Sequence, residues 1–161
     1  MKKIIQAITK VFAKKEEPKA SPIWCDRDAF QLPLYYCLAV NAEEYQSVVD
    51  TMEVPTCDAG PWLKSWHAHA TTHFFENRNL GKVCAVVCLD ITKATDWAQM
   101  AGLIVHEATH IWQEVRHILG EKNPSTEFEA YTLQTITQNL FEAAETKYKM
   151  FNPEKPNASA T

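Results

Sequence analysis

The sequence predicts an α+β fold, a small antiparallel β-hairpin packed on a long helix with a second long helix antiparallel to it. Three observations carry this. Val83 to Leu89 (VCAVVCL) is a β-rich apolar run, preceded by the turn-forming stretch Asn77-Arg78-Asn79-Leu80-Gly81. A helical pattern begins at about Thr95 or Asp96, continues to Leu119 and stops at Gly120, which suits a C′ position. A second helical pattern starts at Ser125 or Thr126 and runs to Lys147, and so short a connection makes the two helices antiparallel neighbours.

Taken in chain order, Met1 to Lys15 places Ile4, Ile5, Ile8, Val11 and Phe12 at helical spacing among Lys2, Lys3, Lys10, Lys14 and Lys15. Such a basic amphipathic helix suits a membrane surface or a protein partner, or docks on its own domain. With the polar linker Glu16 to Pro22 it forms a unit over residues 1–22, and the domain proper spans 23–150. Asn41 to Met52 reads as a helix capped by Asn41, with Glu44 three residues on. Pro55 to Pro61 is a turn-rich loop, and His67 to Phe75 is compatible with the first strand of the hairpin. Residues 151–161 read as a disordered tail, rich in proline and small residues.

At 161 residues the chain is long enough for one domain with a buried core. Its net charge of −4 leaves no basic field for nucleic acid. Five cysteines, an odd number with no CxxC pair, read as reduced buried thiols, with Cys84 and Cys88 serving packing. That favours a reducing, cytoplasmic setting, peripheral at a membrane if the N-terminal helix binds one.

The residues that carry chemistry are His106-Glu107-Ala108-Thr109-His110. Histidines at i and i+4 project from one helix face, so two imidazole nitrogens can reach one Zn²⁺ at about 2.0–2.1 Å. Glu107 points to the neighbouring sector, suited to taking a proton from water rather than to binding metal. Leu103, Ile104, Ala108, Thr109, Ile111 and Trp112 leave the flanks uncharged, which predicts a helix buried around its metal. Catalytic zinc usually holds three protein ligands. The nearest sources of a third are Glu127 and Glu129, which point to nearly opposite sides of the second helix. Glu129 can be explained without metal, as the N3 glutamate of a capping box whose N-cap is Thr126.

HEATH followed by a helical glutamate resembles the glutamate-zincins, the thermolysin-like superfamily. Glu127-Phe128-Glu129-Ala130-Tyr131 is similar to the Glu-x-(Gln/Glu)-Ala-(Asp/Asn) stretch of HtpX-type and ImmA/IrrE-type peptidases. The resemblance spans Leu103 to Leu133, and Tyr131 departs from the Asp or Asn those families often carry there. It implies a minimal zincin-like domain and a zinc metallopeptidase with His106, His110 and Glu127 on the metal and Glu107 as the catalytic base. A peptide or protein is then the substrate. The alternative is a zincin-fold binding or inhibitory protein without turnover.

Weaker signals surround this motif. His67, His69 and His73 share strand parity and would lie on one side of the hairpin, as a polar face, a second metal site or a substrate-facing row. The hairpin, by its place in the chain, would form the edge strand that zincins pair with extended substrate. His117 lies on the stripe of His106 and His110 but roughly 10 Å beyond His110 along the axis, too far to share a metal. Tyr131 and Tyr148 are further phenolic donors for an oxyanion.

Overall fold

The computed structural model describes residues 21–26, 31–93 and 96–151. The amphipathic segment Met1 to Lys15 and the tail beyond Phe151 lie outside the described residues. Four strands, β1 (Ile23–Trp24), β2 (Tyr35–Ala39), β3 (Ala70–Asn77) and β4 (Lys82–Leu89), form one mixed sheet in the order β1-β2-β4-β3. Four helices accompany it among the described residues: α1 (Ala42–Thr51), α2 (Thr56–Ala59), α3 (Trp97–Leu119) and α4 (Thr126–Phe151).

The hairpin is present as β3 and β4, antiparallel, with Ala70 opposite Leu89 and Asn77 opposite Lys82. Gly81 turns it with a φ of 59°, a conformation that costs glycine little. Two features of the sheet differ from the sequence reading. It is mixed rather than antiparallel, because β2 lies between β1 and β4 and pairs with β4 in parallel. The first hairpin strand also begins at Ala70, so His67 and His69 precede it.

Central β2 and β4 are covered on both faces, which is why their sequences read as continuous apolar runs without alternation. Tyr36, Leu38, Ala85, Val87 and Leu89 pack toward Ile104, Ala108, Ile111, Trp112, Ile136 and Leu140 of α3 and α4. Cys37, Ala39, Cys84, Val86 and Cys88 face the other way, into a core with Tyr45, Val48 and Val49 of α1 and Met52 just past its end. Cys84 and Cys88 thus serve packing as expected, whereas Cys57 is exposed, against the expectation of buried thiols. Burial pushes the Cys25 thiol up to about 12.

The helices begin and end where their chemistry allows. Asn41 Oδ1 accepts the Glu44 N–H at 2.9 Å and Asp96 Oδ1 the Gln99 N–H at 2.8 Å, so one orphan donor at each helix start is satisfied. Gly120 closes α3 in the left-handed region, and its N–H bonds back into the last turn. At the start of α4 it is Ser125, not Thr126, that caps, its Oγ accepting the Phe128 N–H at 3.2 Å. Glu129 therefore falls one position past N3, and the Thr126 capping box is not formed.

Helices α3 and α4 are antiparallel, with Trp112 against Phe128 at one end and Trp97 against Tyr148 at the other, ring centroids 5.5 Å apart in both pairs. Buried Lys147 of α4 meets buried Glu44 of α1 at 2.6 Å and also donates to the Ser21 carbonyl at 2.6 Å. The second Glu44 oxygen accepts the Val40 N–H at 3.0 Å. This ion pair joins helices that lie on opposite faces of the sheet.

Candidate metal centre

Helix α3 lies beneath the sheet and also packs along β3. Its apolar residues Met100, Ile104, Ala108, Ile111, Trp112 and Val115 fall on one face and are buried. At 3.6 residues per turn, His106 and His110 fall on the opposite side, and both are exposed. The uncharged flanks therefore bury the far face of the helix and do not enclose the histidines, which corrects the expectation of a helix buried around its metal.

The two imidazoles converge. His106 Nε2 and His110 Nε2 are 3.1 Å apart, with the rings nearly perpendicular at 87°. Two nitrogens each about 2.0–2.1 Å from a tetrahedral zinc stand roughly 3.3 Å apart, so the pair is spaced for one ion. The same separation suits an N–H···N bond from His106 to His110. Gln113, one turn on, places its Oε1 3.2 Å from His110 Nδ1. That acceptor puts the proton on Nδ1 and leaves Nε2 with the lone pair a metal needs.

Glu107 is set apart from the pair. It is buried at 4% exposure, and its Oε2 accepts the Thr72 hydroxyl of β3 at 2.6 Å. Its negative charge reaches through the sheet edge: burial first, and then Glu107, raises the Cys88 thiol well above its ordinary range. For His73 burial is the largest influence and lowers the imidazole below its ordinary value. Lys64 adds to that lowering, while the bond to the Trp62 carbonyl and the Glu107 charge oppose it.

Glu127, the expected third ligand, is exposed in the first turn of α4 and is not brought to the histidines. Glu129 is occupied, its Oε1 accepting the Trp112 indole N–H at 2.9 Å. Among the described residues no three His, Cys, Asp or Glu side chains are grouped for a metal. His117 stays in the last turn of the unbroken α3, as its spacing requires. Tyr131 is exposed, and Tyr148 lies against Trp97 with the rings tilted at 58°.

The histidine row of the hairpin is not formed. His73 alone is in the strand, turned toward α1, its ring 4.8 Å from that of Tyr45 and its Nε2 3.0 Å from the Trp62 carbonyl. His69 approaches Gln99 in the first turn of α3, with Nδ1 3.4 Å from the amide nitrogen.

Two contributors to the site, Thr72 and Gln113, were not read from the sequence. Gln113 was detectable, since i+3 neighbours meet on a helix. Thr72 is 35 residues from Glu107 and has no local signal. Comparison of the chain with family models, with curated proteins and with solved structures gives no match.

Proposed function

We propose that this chain is a zinc metallohydrolase, a peptidase built on a minimal zincin-like domain, with His106, His110 and the exposed Glu127 as metal ligands and Glu107 as general base. The observation that carries the reading is the 3.1 Å approach of two Nε2 atoms beside a buried glutamate on the same helix. A bound zinc supplies Lewis-acid activation of water and of a scissile carbonyl.

The chain's own residues supply the rest. Glu107 takes a proton from the attacking water and returns it to the departing amine, while Gln113 keeps His110 in the ligating tautomer. Glu127, exposed in the first turn of α4, would complete the ligand set. Peptide as substrate is supported by β3, one of the two edge strands among the described residues, which lies against α3 where an extended chain can add to the sheet. No described helix is long and apolar enough to cross a membrane, and the five free cysteines fit a reducing, cytoplasmic setting.

Metal analysis of the wild type beside Glu107→Gln, Glu127→Gln and His106→Ala tests this. The expected result is one zinc per chain in the wild type and in Glu107→Gln, with cleavage of a pool of internally quenched peptides abolished in the latter. Zinc is lost from His106→Ala and held more weakly by Glu127→Gln. Wild-type protein that binds no zinc overturns the reading. Zinc binding without cleavage favours a binding or inhibitory protein instead.

A further inference from the structure

We propose that Thr72 is a positioning residue for Glu107, tying the orientation of the base to the open edge of the sheet; this rests on the hydrolase reading above. Thr72 sits near the middle of β3, and its hydroxyl donates to Glu107 Oε2 at 2.6 Å, within the range of a charge-assisted O–H···O⁻ bond. Both groups are buried, Thr72 at 7% and Glu107 at 4% exposure, so the bond is not loosened by competing water. A carboxylate held at one oxygen has one left to accept a proton, and Thr72 thereby selects Oε1 for the attacking water. As a β-branched residue in a strand, threonine holds its hydroxyl with little rotamer freedom.

The main chain of the same residue faces outward. Just before β3, the Asp90 N–H donates to the His69 carbonyl at 2.9 Å, opposite one another in the β3–β4 register. Bonded and non-bonded pairs alternate in an antiparallel ladder. Residues 71, 73 and 75 therefore spend their main-chain groups on β4, and Thr72 and Phe74 present theirs to the edge that no described strand covers. An extended chain pairing with Thr72 is thus one residue removed from the base. Pairing fixes the strand, the strand fixes the hydroxyl, and the hydroxyl fixes the carboxylate.

The test uses zinc-loaded full-length protein, Thr72→Val, Thr72→Ser and the pool of internally quenched peptides. Thr72→Val, which keeps the branched shape and removes the donor, is expected to lower kcat about tenfold. KM should change less than about twofold and zinc content should be unchanged. Thr72→Ser restores the donor and should return kcat to within about threefold of wild type. Equal losses in Thr72→Ser and Thr72→Val, or a loss confined to KM, overturn the proposal. The contact is checked without catalysis by melting Thr72→Val, Glu107→Ala and the double variant. Non-additive shifts in Tm are expected from directly bonded residues, and additive shifts overturn the proposal. A wild type that binds zinc but cleaves no peptide removes the peptidase reading, and the melting cycle then decides the Thr72–Glu107 link alone.

Discussion

The indole N–H of Trp112 donates to Glu129 Oε1 at 2.9 Å, which joins α3 to the first turns of α4. Trp112 lies about 200° around α3 from His110, so the carboxylate it holds is on the side of the helix away from the paired imidazoles. Glu129→Gln is therefore expected to leave zinc affinity unchanged. A neutral amide oxygen is a poorer acceptor than a carboxylate, and the variant should lose about 1–2 kcal/mol of stability. Denaturant melts and metal titration of the same sample check both halves, and a fall in zinc affinity would move the third ligand to Glu129.

Gln113 offers a separate handle on the metal centre. Its Oε1 lies 3.2 Å from Nδ1 of His110, the nitrogen turned away from His106, so its loss frees the imidazole to change tautomer without removing a ligand. Partners of this kind typically contribute about 10–100-fold to metal affinity. Gln113→Ala should weaken zinc binding by about tenfold, and Gln113→Glu should retain it, since a carboxylate accepts the same proton. Competition with a chromophoric chelator measures both.

How much of this was legible in the sequence depended on the range of the interaction. Helix α3, its Asp96 start and its Gly120 stop are written in local chemistry, as is the hairpin turn before Lys82. The His106–His110 convergence follows from i,i+4 spacing. Strand β2 left no comparable mark, because burial on both faces erases alternation and its parallel partner β4 is distant in sequence. The exposure of the His pair is not legible in the sequence for a related reason. Uncharged neighbours tell that a helix is buried, but the face that is buried is decided by the position of the sheet. Thr72 and Lys147 were invisible, since each acts through a partner more than thirty residues away.

The buried pair of Lys147 and Glu44 should be costly to break from one side. Both side chains are nearly inaccessible, at 6% and 3% exposure, and the nitrogen also holds the Ser21 carbonyl. Lys147→Met leaves Glu44 charged, buried and short of a donor, with an expected loss of about 3–5 kcal/mol. Adding Glu44→Leu removes the stranded charge and should recover part of that loss. Equilibrium urea unfolding of the wild type and the two variants checks this, and zinc affinity should not change because the pair is remote from α3's exposed face.

His73 predicts a stability that declines in mild acid. Burial lowers its imidazole below the ordinary value of 6.5, more than the nearby Glu107 charge and the Trp62 carbonyl raise it. The folded chain thus releases its proton more readily than the unfolded chain does. Where the unfolded state binds more protons, stability rises with pH. Well above 6.5 both states are neutral and His73 contributes no pH dependence. As pH falls through 6.5 the unfolded state is protonated first, and stability is lost until the folded imidazole titrates as well. His73→Gln keeps an N–H donor for the Trp62 carbonyl but cannot titrate. Its melting temperature, measured in chelator so that metal binding does not intrude, should fall less between pH 7 and pH 5 than that of the wild type. Parallel curves for the two proteins would show that the acid sensitivity arises elsewhere.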